Sequence, residues 1–280
     1  MAVKFVIDSA SDLLPKEARE QGVCVLPMKV TILGQTYEDG VTLSHEEFFE
    51  KLAQSKEFPT TSQISPAAFG DCYAELTADG SHLVVITISS KFSGTYQSAC
   101  IAAEDFEDKV FVVDSLSLSL GERVLLERGL ELASQGLSAK EIAAKLDEEK
   151  NKVHVIAMMN TLEYLKKGGR ISPTVAFAGS LLGIKPAVQV IDGKVVLAGT
   201  ARGTAKCHAL VKSLIESHGG IHWDMPVALV YSASDEGLQS FLEKNPELFP
   251  SDMGGSIHSL GCAVGAHIGP GAYGVAFFEK

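Results

Sequence analysis

Three short apolar runs, KFVID at 4–8, HLVVITI at 82–88 and KVFVVD at 109–114, each lead toward a segment of helical periodicity. That alternation constrains the fold more than any other feature. Short runs without a polar face read as strands covered on both sides, and a helix between successive strands supplies the crossover that parallel pairing needs. DLLPKEAREQG (12–22) reads as the first such helix, with Asp12 near its cap and Gly22 as its stop. SHEEFFEKLAQS (44–55) is amphipathic and carries Ser44 and Glu47 at capping-box spacing. Ser65-Pro66 opens a further helix to about Thr77, and helical patterns follow over 94–106 and 117–134. VCVLPMKVTI (23–32) is strand-like, with Pro27 marking an edge or a bulge. The first half therefore predicts a parallel sheet wrapped by helices.

The polar helical segment SAKEIAAKLDEEKNK (138–152) marks a boundary, and the pattern changes after it. VHVIAMM (153–159) is a strand, and KPAVQVIDGKVVLAG (185–199) reads as a hairpin turning at Asp192-Gly193. A helix over 203–217, the strand PVALVYS (226–232), a helix over 235–245 and strands within 256–279 complete a mixed α/β pattern. Two domains are expected, 1–150 and 151–280.

With 46% hydrophobic residues in 280, the chain is long enough to bury a substantial core. A net charge of −11 weighs against nucleic acid and anionic membrane surfaces as partners. No stretch reaches the roughly 18 apolar residues of a membrane span. The five scattered cysteines form no C-x-x-C, and the sequence predicts a reducing, cytoplasmic setting without a disulfide framework. No metal site is predicted: His218 and His222 have i,i+4 spacing, but Gly219-Gly220 between them breaks a rigid helical pair.

Ligands of parallel sheets bind at the carboxyl ends of the strands. Here those ends carry Asp8-Ser9, Ser89-Ser90 running on to Ser93-Gly94, and Asp114-Ser115. In ISSKFSGT, Ser93 and Gly94 fall where a helix begins, which is either a plain helix cap or a seat for a phosphate or carboxylate. Thr61 and Ser62 in PTTSQIS are ordinary loop hydroxyls, or further donors if the loop folds over the same edge. Arg170 in KKGGRIS and Arg202 in GTARGTAK are either solvated surface residues or forks for an anion. TVAFAGSLLG (174–183) is a buried helix or a yielding wall for an apolar guest. Together these residues predict an anion-headed small molecule at the sheet edge. They name no nucleophile–base pair at a recognisable spacing.

FVIDSASDL, PTTSQISP, SSKFSGTYQSA, VVDS, LEYLKKGGRIS, GIKP and the closing GAHIGPGAYG occur in one order across nearly the whole chain. In this combination the sequence resembles the DegV family, whose best-understood members are the fatty-acid-binding subunits of bacterial fatty acid kinase. The resemblance implies an α/β fold of two domains. A parallel, Rossmann-like N-terminal sheet with flanking helices would join a C-terminal mixed domain across a tunnel for one long-chain fatty acid. It implies no cofactor and no autonomous catalysis: a separate ATP-binding kinase subunit phosphorylates the presented carboxylate, for use in phospholipid synthesis. The carboxylate-binding positions of the family fall on Thr61 and Ser93, with Ser62 and Gly94 beside them and His267 joining the network. Arg170 and Arg202 match positions suited to docking the kinase or steadying the phosphate.

Two other functions compete. One is an autonomous phosphotransferase or hydrolase using Ser93 with His267. The other is a nucleotide site on GPGAYG, where Gly269, Gly271 and Gly274 have G-x-G-x-x-G spacing. Only six strand-like residues follow Gly274, too few for the helix that such a loop requires. The stretch is therefore expected to be a turn between strands, fixed by Pro270, whose glycines let backbone pass close to the site.

Overall fold

The computed structural model describes residues 2–172, 183–249 and 256–280. The chain begins β1 (Val3–Asp8), α1 (Pro15–Gln21), β2 (Val23–Leu26), β3 (Lys29–Ile32), β4 (Gln35–Glu38), α2 (His45–Gln54), β5 (Thr60–Ser62) and α3 (Pro66–Thr77). It continues through β6 (His82–Thr87), α4 (Thr95–Ala103), β7 (Val110–Asp114), α5 (Leu120–Ser134) and α6 (Ala139–Glu149). The remainder is β8 (Val153–Met158), α7 (Glu163–Lys167), β9 (Ile184–Ile191), β10 (Lys194–Arg202), α8 (Thr204–Ser217), β11 (Val227–Tyr231), α9 (Glu236–Lys244), β12 (Ile257–Ser259), α10 (Cys262–Ile268) and β13 (Tyr273–Phe278).

The apolar runs form the expected parallel sheet, in the order β2-β1-β6-β7. Its central strands are buried through Phe5, Val6, Ile7 and Leu83 to Ile86, as double-sided coverage by helices demands. A second, mixed sheet has six strands in the order β10-β9-β8-β13-β11-β12 and draws only on residues after Lys152. Helix α5 touches β1 and β6 of the first sheet and β8, β11 and β13 of the other. Its opening residues, Leu120 to Leu126, are buried on every side, as a helix between two sheets must be.

Local signals explain most boundaries. Ser44 Oγ accepts from the Glu47 amide at 3.2 Å while the Glu47 carboxylate accepts from the Ser44 amide at 3.1 Å, closing the capping box of α2. Asp192 and Gly193 have φ of 49° and 75°, the left-handed pair of a type I′ turn, and β9 and β10 form the expected hairpin around them.

Four local expectations are corrected. Asp12 does not cap α1: it is left-handed, with φ 59°, and the helix starts at Pro15 after Leu14. The 23–32 run is two strands in different sheets, because Pro27 has no amide to continue the ladder. β3 instead centres a small antiparallel sheet, β4-β3-β5, so the PTTSQ segment is partly a strand, with Thr61 opposite Val30. Finally, residues 262–268 form a helix, so the glycine-rich turn after them joins α10 to β13 and does not link two strands. The TVAFAGSLLG segment lies outside the described residues except for Gly183.

Candidate functional site

A cavity of about 590 Å³ opens at the carboxyl ends of β1 and β6, a size within the usual range for small-molecule sites. Thr61, Ser62, Ser93, Gly94, His267 and Arg170 all line it. Arg202, exposed at the end of β10, is not among the lining residues. The inner wall is apolar, from Ala10, Met28, Ile88, Leu118, Val264 and Ile268 among others. Its wall draws on both halves of the chain: Val195 of the β9–β10 hairpin contributes, and the hairpin tip is held where Ser89 Oγ donates to the Gly193 carbonyl at 2.9 Å.

Thr61 and His267 meet directly, with Oγ1 and Nε2 2.9 Å apart. Burial, and secondarily the Arg170 charge, push the His267 imidazolium pKa down to about 4, so the ring is neutral near pH 7. Its Nδ1 is buried without a hydrogen-bond partner among the described residues and faces Gly168, where a Cβ would stand only 2.1 Å away. An unpaired N–H is costlier there than an unpaired lone pair, so the proton belongs on Nε2. Nε2–H then donates to Thr61, and the Thr61 hydroxyl is left to donate its own hydrogen to an acceptor in the cavity.

On the facing wall, the turn after β6 places Ser93 and Gly94 just before α4. Gly94 is the N-cap residue, and Ser93 Oγ accepts from the Thr95 amide at 3.2 Å and pairs with the Thr95 hydroxyl at 2.8 Å. Ser93 thus stiffens the helix start while still facing the cavity. Gln63 lies across Gly94, where a Cβ would meet its Oε1 at 2.1 Å, and its Nε2 donates to Ser98 Oγ at 3.1 Å. Ser93 pairs with Thr95 and His267 with Thr61, so the hydrolase arrangement of Ser93 with His267 is not assembled.

Arg170 ties these walls together, donating from Nε to the Phe92 carbonyl at 3.2 Å and from Nη1 to the Gly168 carbonyl at 2.6 Å. Two cations, Lys91 and Arg170, and no Asp or Glu line the cavity among the described residues, although the chain carries a net charge of −11. The site is electrostatically suited to an anion.

Two acids that sequence reasoning left unassigned to this site hold His267 in place. Gly261 caps α10 without a side-chain bond of its own. The missing acceptors come from the other half of the chain: Asp12 accepts from the Gly261 amide at 2.8 Å, and Asp39 from the Cys262 and Ala263 amides at 2.8 and 3.1 Å. Both acids are buried, and their oxygens satisfy amides that the helix start leaves without an intrahelical partner. Asp8 has a similar structural use, accepting from the Ala10 and Ile88 amides. Gly269 and Gly271, at φ 76° and 78°, do not line the cavity; the space a Cβ would take there is filled by Tyr164 and Asn160. Lys91 and Gln63 are further site residues, and no motif or spacing in the sequence singles them out.

The fold and the cavity define a mixed α/β protein with an open small-molecule-sized cavity lined by apolar side chains, hydroxyls and two cations. The chain belongs to the DegV family, whose profile matches residues 2–280. A DegV domain-containing protein of Clostridium acetobutylicum is 34% identical over 283 residues, covering 99% of each chain. Among solved structures, a DegV family protein from Thermus thermophilus described for fatty acid binding matches with TM-score 0.87 and 32% identity over 100% of both chains. A stearic acid-binding protein from Eubacterium ventriosum matches with TM-score 0.87 and 27% identity, over 100% of this chain and 99% of that one. Among the described residues no helix is long and apolar enough to cross a membrane.

Proposed function

We propose that this protein binds one long-chain fatty acid in the cavity and presents its carboxylate to a separate ATP-dependent kinase subunit. The observation that carries the reading is the lining itself: an apolar interior ending in Thr61, Ser62, Ser93, Gly94 and His267, with Lys91 and Arg170 and no acid among the described residues. The solved relatives that bind fatty acids support it. Burying the acyl chain gains roughly 0.8 kcal/mol per CH₂. A carboxylate removed from water needs hydrogen bonds to keep that gain, and hydroxyls provide them without a permanent ion pair, leaving an oxygen open to phosphorylation.

In this reading residues 1–150 and 151–280 act as two domains that close on the acyl chain. Arg170 steadies the transferred phosphate at the mouth, and Arg202 belongs to the kinase-docking face. The protein is cytoplasmic, needs no cofactor and is not an enzyme on its own; its product serves phospholipid synthesis. The test combines this chain, oleate or palmitate, ATP and the ATP-binding subunit of a bacterial fatty acid kinase, with acyl-phosphate trapped as the hydroxamate. Product is expected only from the full mixture. Product from this chain and ATP alone, or none from the full mixture, overturns the reading.

A further inference from the structure

Away from the cavity, three side chains from separate elements converge. His154 of β8, His218 at the end of α8 and Glu279 just after β13 each offer a ligating atom, and these atoms lie within 4.8 Å of one another. His154 Nε2 and a Glu279 carboxylate oxygen are 2.8 Å apart. The two imidazoles stack with centroids 3.8 Å apart and planes inclined by 23°. All three residues are partly buried, which limits their side-chain freedom while leaving access for a solvated ion.

We propose that His154, His218 and Glu279 form a binding site for a borderline divalent transition cation, of which Zn²⁺ is the reference. Two imidazoles and one carboxylate make a donor set that suits Zn²⁺, and that magnesium or calcium does not favour. Zn–N and Zn–O bonds are about 2.0–2.2 Å and lie near the imidazole planes, so binding also turns the two stacked rings until their lone pairs converge on the ion. Gln189 fixes the tautomer. Its Oε1 lies 3.0 Å from His218 Nε2 and, as an amide oxygen, only accepts; the proton therefore sits on Nε2 and the Nδ1 lone pair is left for the metal. Binding replaces the proton between His154 and Glu279, releasing it to solvent or moving it to Nδ1 of His154. The fourth position is left to water. Gly219 and Gly220 still separate His218 from His222, but His218 acts through a partner distant in sequence, which spacing alone does not reveal. The ion would pin the strand ends of β8 and β13 to α8.

The test is calorimetric titration of the full chain, without a polyhistidine tag, with Zn²⁺, alongside thermal melting with and without the ion. One ion per chain is expected, together with a higher melting temperature in Zn²⁺. His154→Ala and Glu279→Gln should each weaken binding at least tenfold, and Gln189→Ala, which removes only the orienting group, by about 10- to 100-fold. Melting in EDTA establishes that each variant is folded. If a variant unfolds, Co²⁺ serves on the parent protein: visible absorption that one equivalent of Zn²⁺ bleaches supports the site. Absence of saturable Zn²⁺ binding, or binding unchanged in folded His154→Ala, overturns the proposal.

Discussion

Replacing Gly168 by alanine isolates the Thr61–His267 pair without touching either residue. The backbone at 168 has φ −73° and ψ −11°, a right-handed conformation that alanine adopts freely, so no backbone strain enters. The new Cβ, however, would stand 2.1 Å from His267 Nδ1 and 2.9 Å from Cε1, where ordinary contact begins at 3.4 Å. Restoring that contact moves the ring by more than an ångström. It cannot move straight back, because Thr61 Oγ1 is already 2.9 Å from the opposite nitrogen, so the ring has to swing out of the gap. Thr61 then loses the donor that orients its hydroxyl toward a bound carboxylate. A hydrogen bond to a charged group contributes about 1.5–3 kcal/mol, equivalent to roughly 10- to 100-fold in affinity. Displacement of a fluorescent fatty-acid analogue measures this, with circular dichroism confirming the fold. In a His267→Ala background the same substitution should have no further effect, since the obstructed ring is gone. Unchanged affinity in Gly168→Ala, with His267 shown by NMR to be displaced, would refute the assignment of this pair to the headgroup.

Three further expectations rest on the same geometry. Thr61→Val and Ser93→Ala each remove one hydroxyl from the cavity wall and should weaken fatty-acid binding about 10-fold, read by the same displacement assay. His267 should remain neutral on acidification until near pH 4, and Arg170→Gln should move its midpoint upward by removing the secondary cause of the depression; NMR titration of the ring checks both. Asp12 is pushed up to about 7, first by burial, so the folded protein holds a proton there that the unfolded chain gives up near 3.8. That contribution to stability is complete below 3.8 and is lost as the pH rises through 7, so Asp12→Asn should flatten the fall in urea midpoint between about pH 4 and pH 8.

What the sequence made legible was governed by local rules. The buried strands β1, β6 and β7, the capping box at Ser44 and Glu47 and the Asp192-Gly193 turn follow from periodicity and turn chemistry within a few residues. The hydroxyls at Thr61 and Ser93 were legible as candidates because strand ends of a parallel sheet are where ligands collect, and His267 entered through resemblance. The small sheet was hidden because its strands are only three or four residues long and β5 reads as a polar loop until β3 pairs with it. Helix α10 was hidden for a different reason. CAVGAHI has no polar face and no capping residue of its own, since Asp12 and Asp39 supply its caps across 249 and 223 residues of sequence. Those same long-range bonds help set where His267 stands, so the full site could not be built from neighbouring residues alone.

The most direct test of the central claim is lipid analysis of the protein purified under native conditions from bacterial cells. Organic extraction followed by mass spectrometry should recover one long-chain fatty acid per chain, and Gly168→Ala should recover less. A protein that yields no fatty acid and takes up neither oleate nor palmitate when offered them would contradict the account.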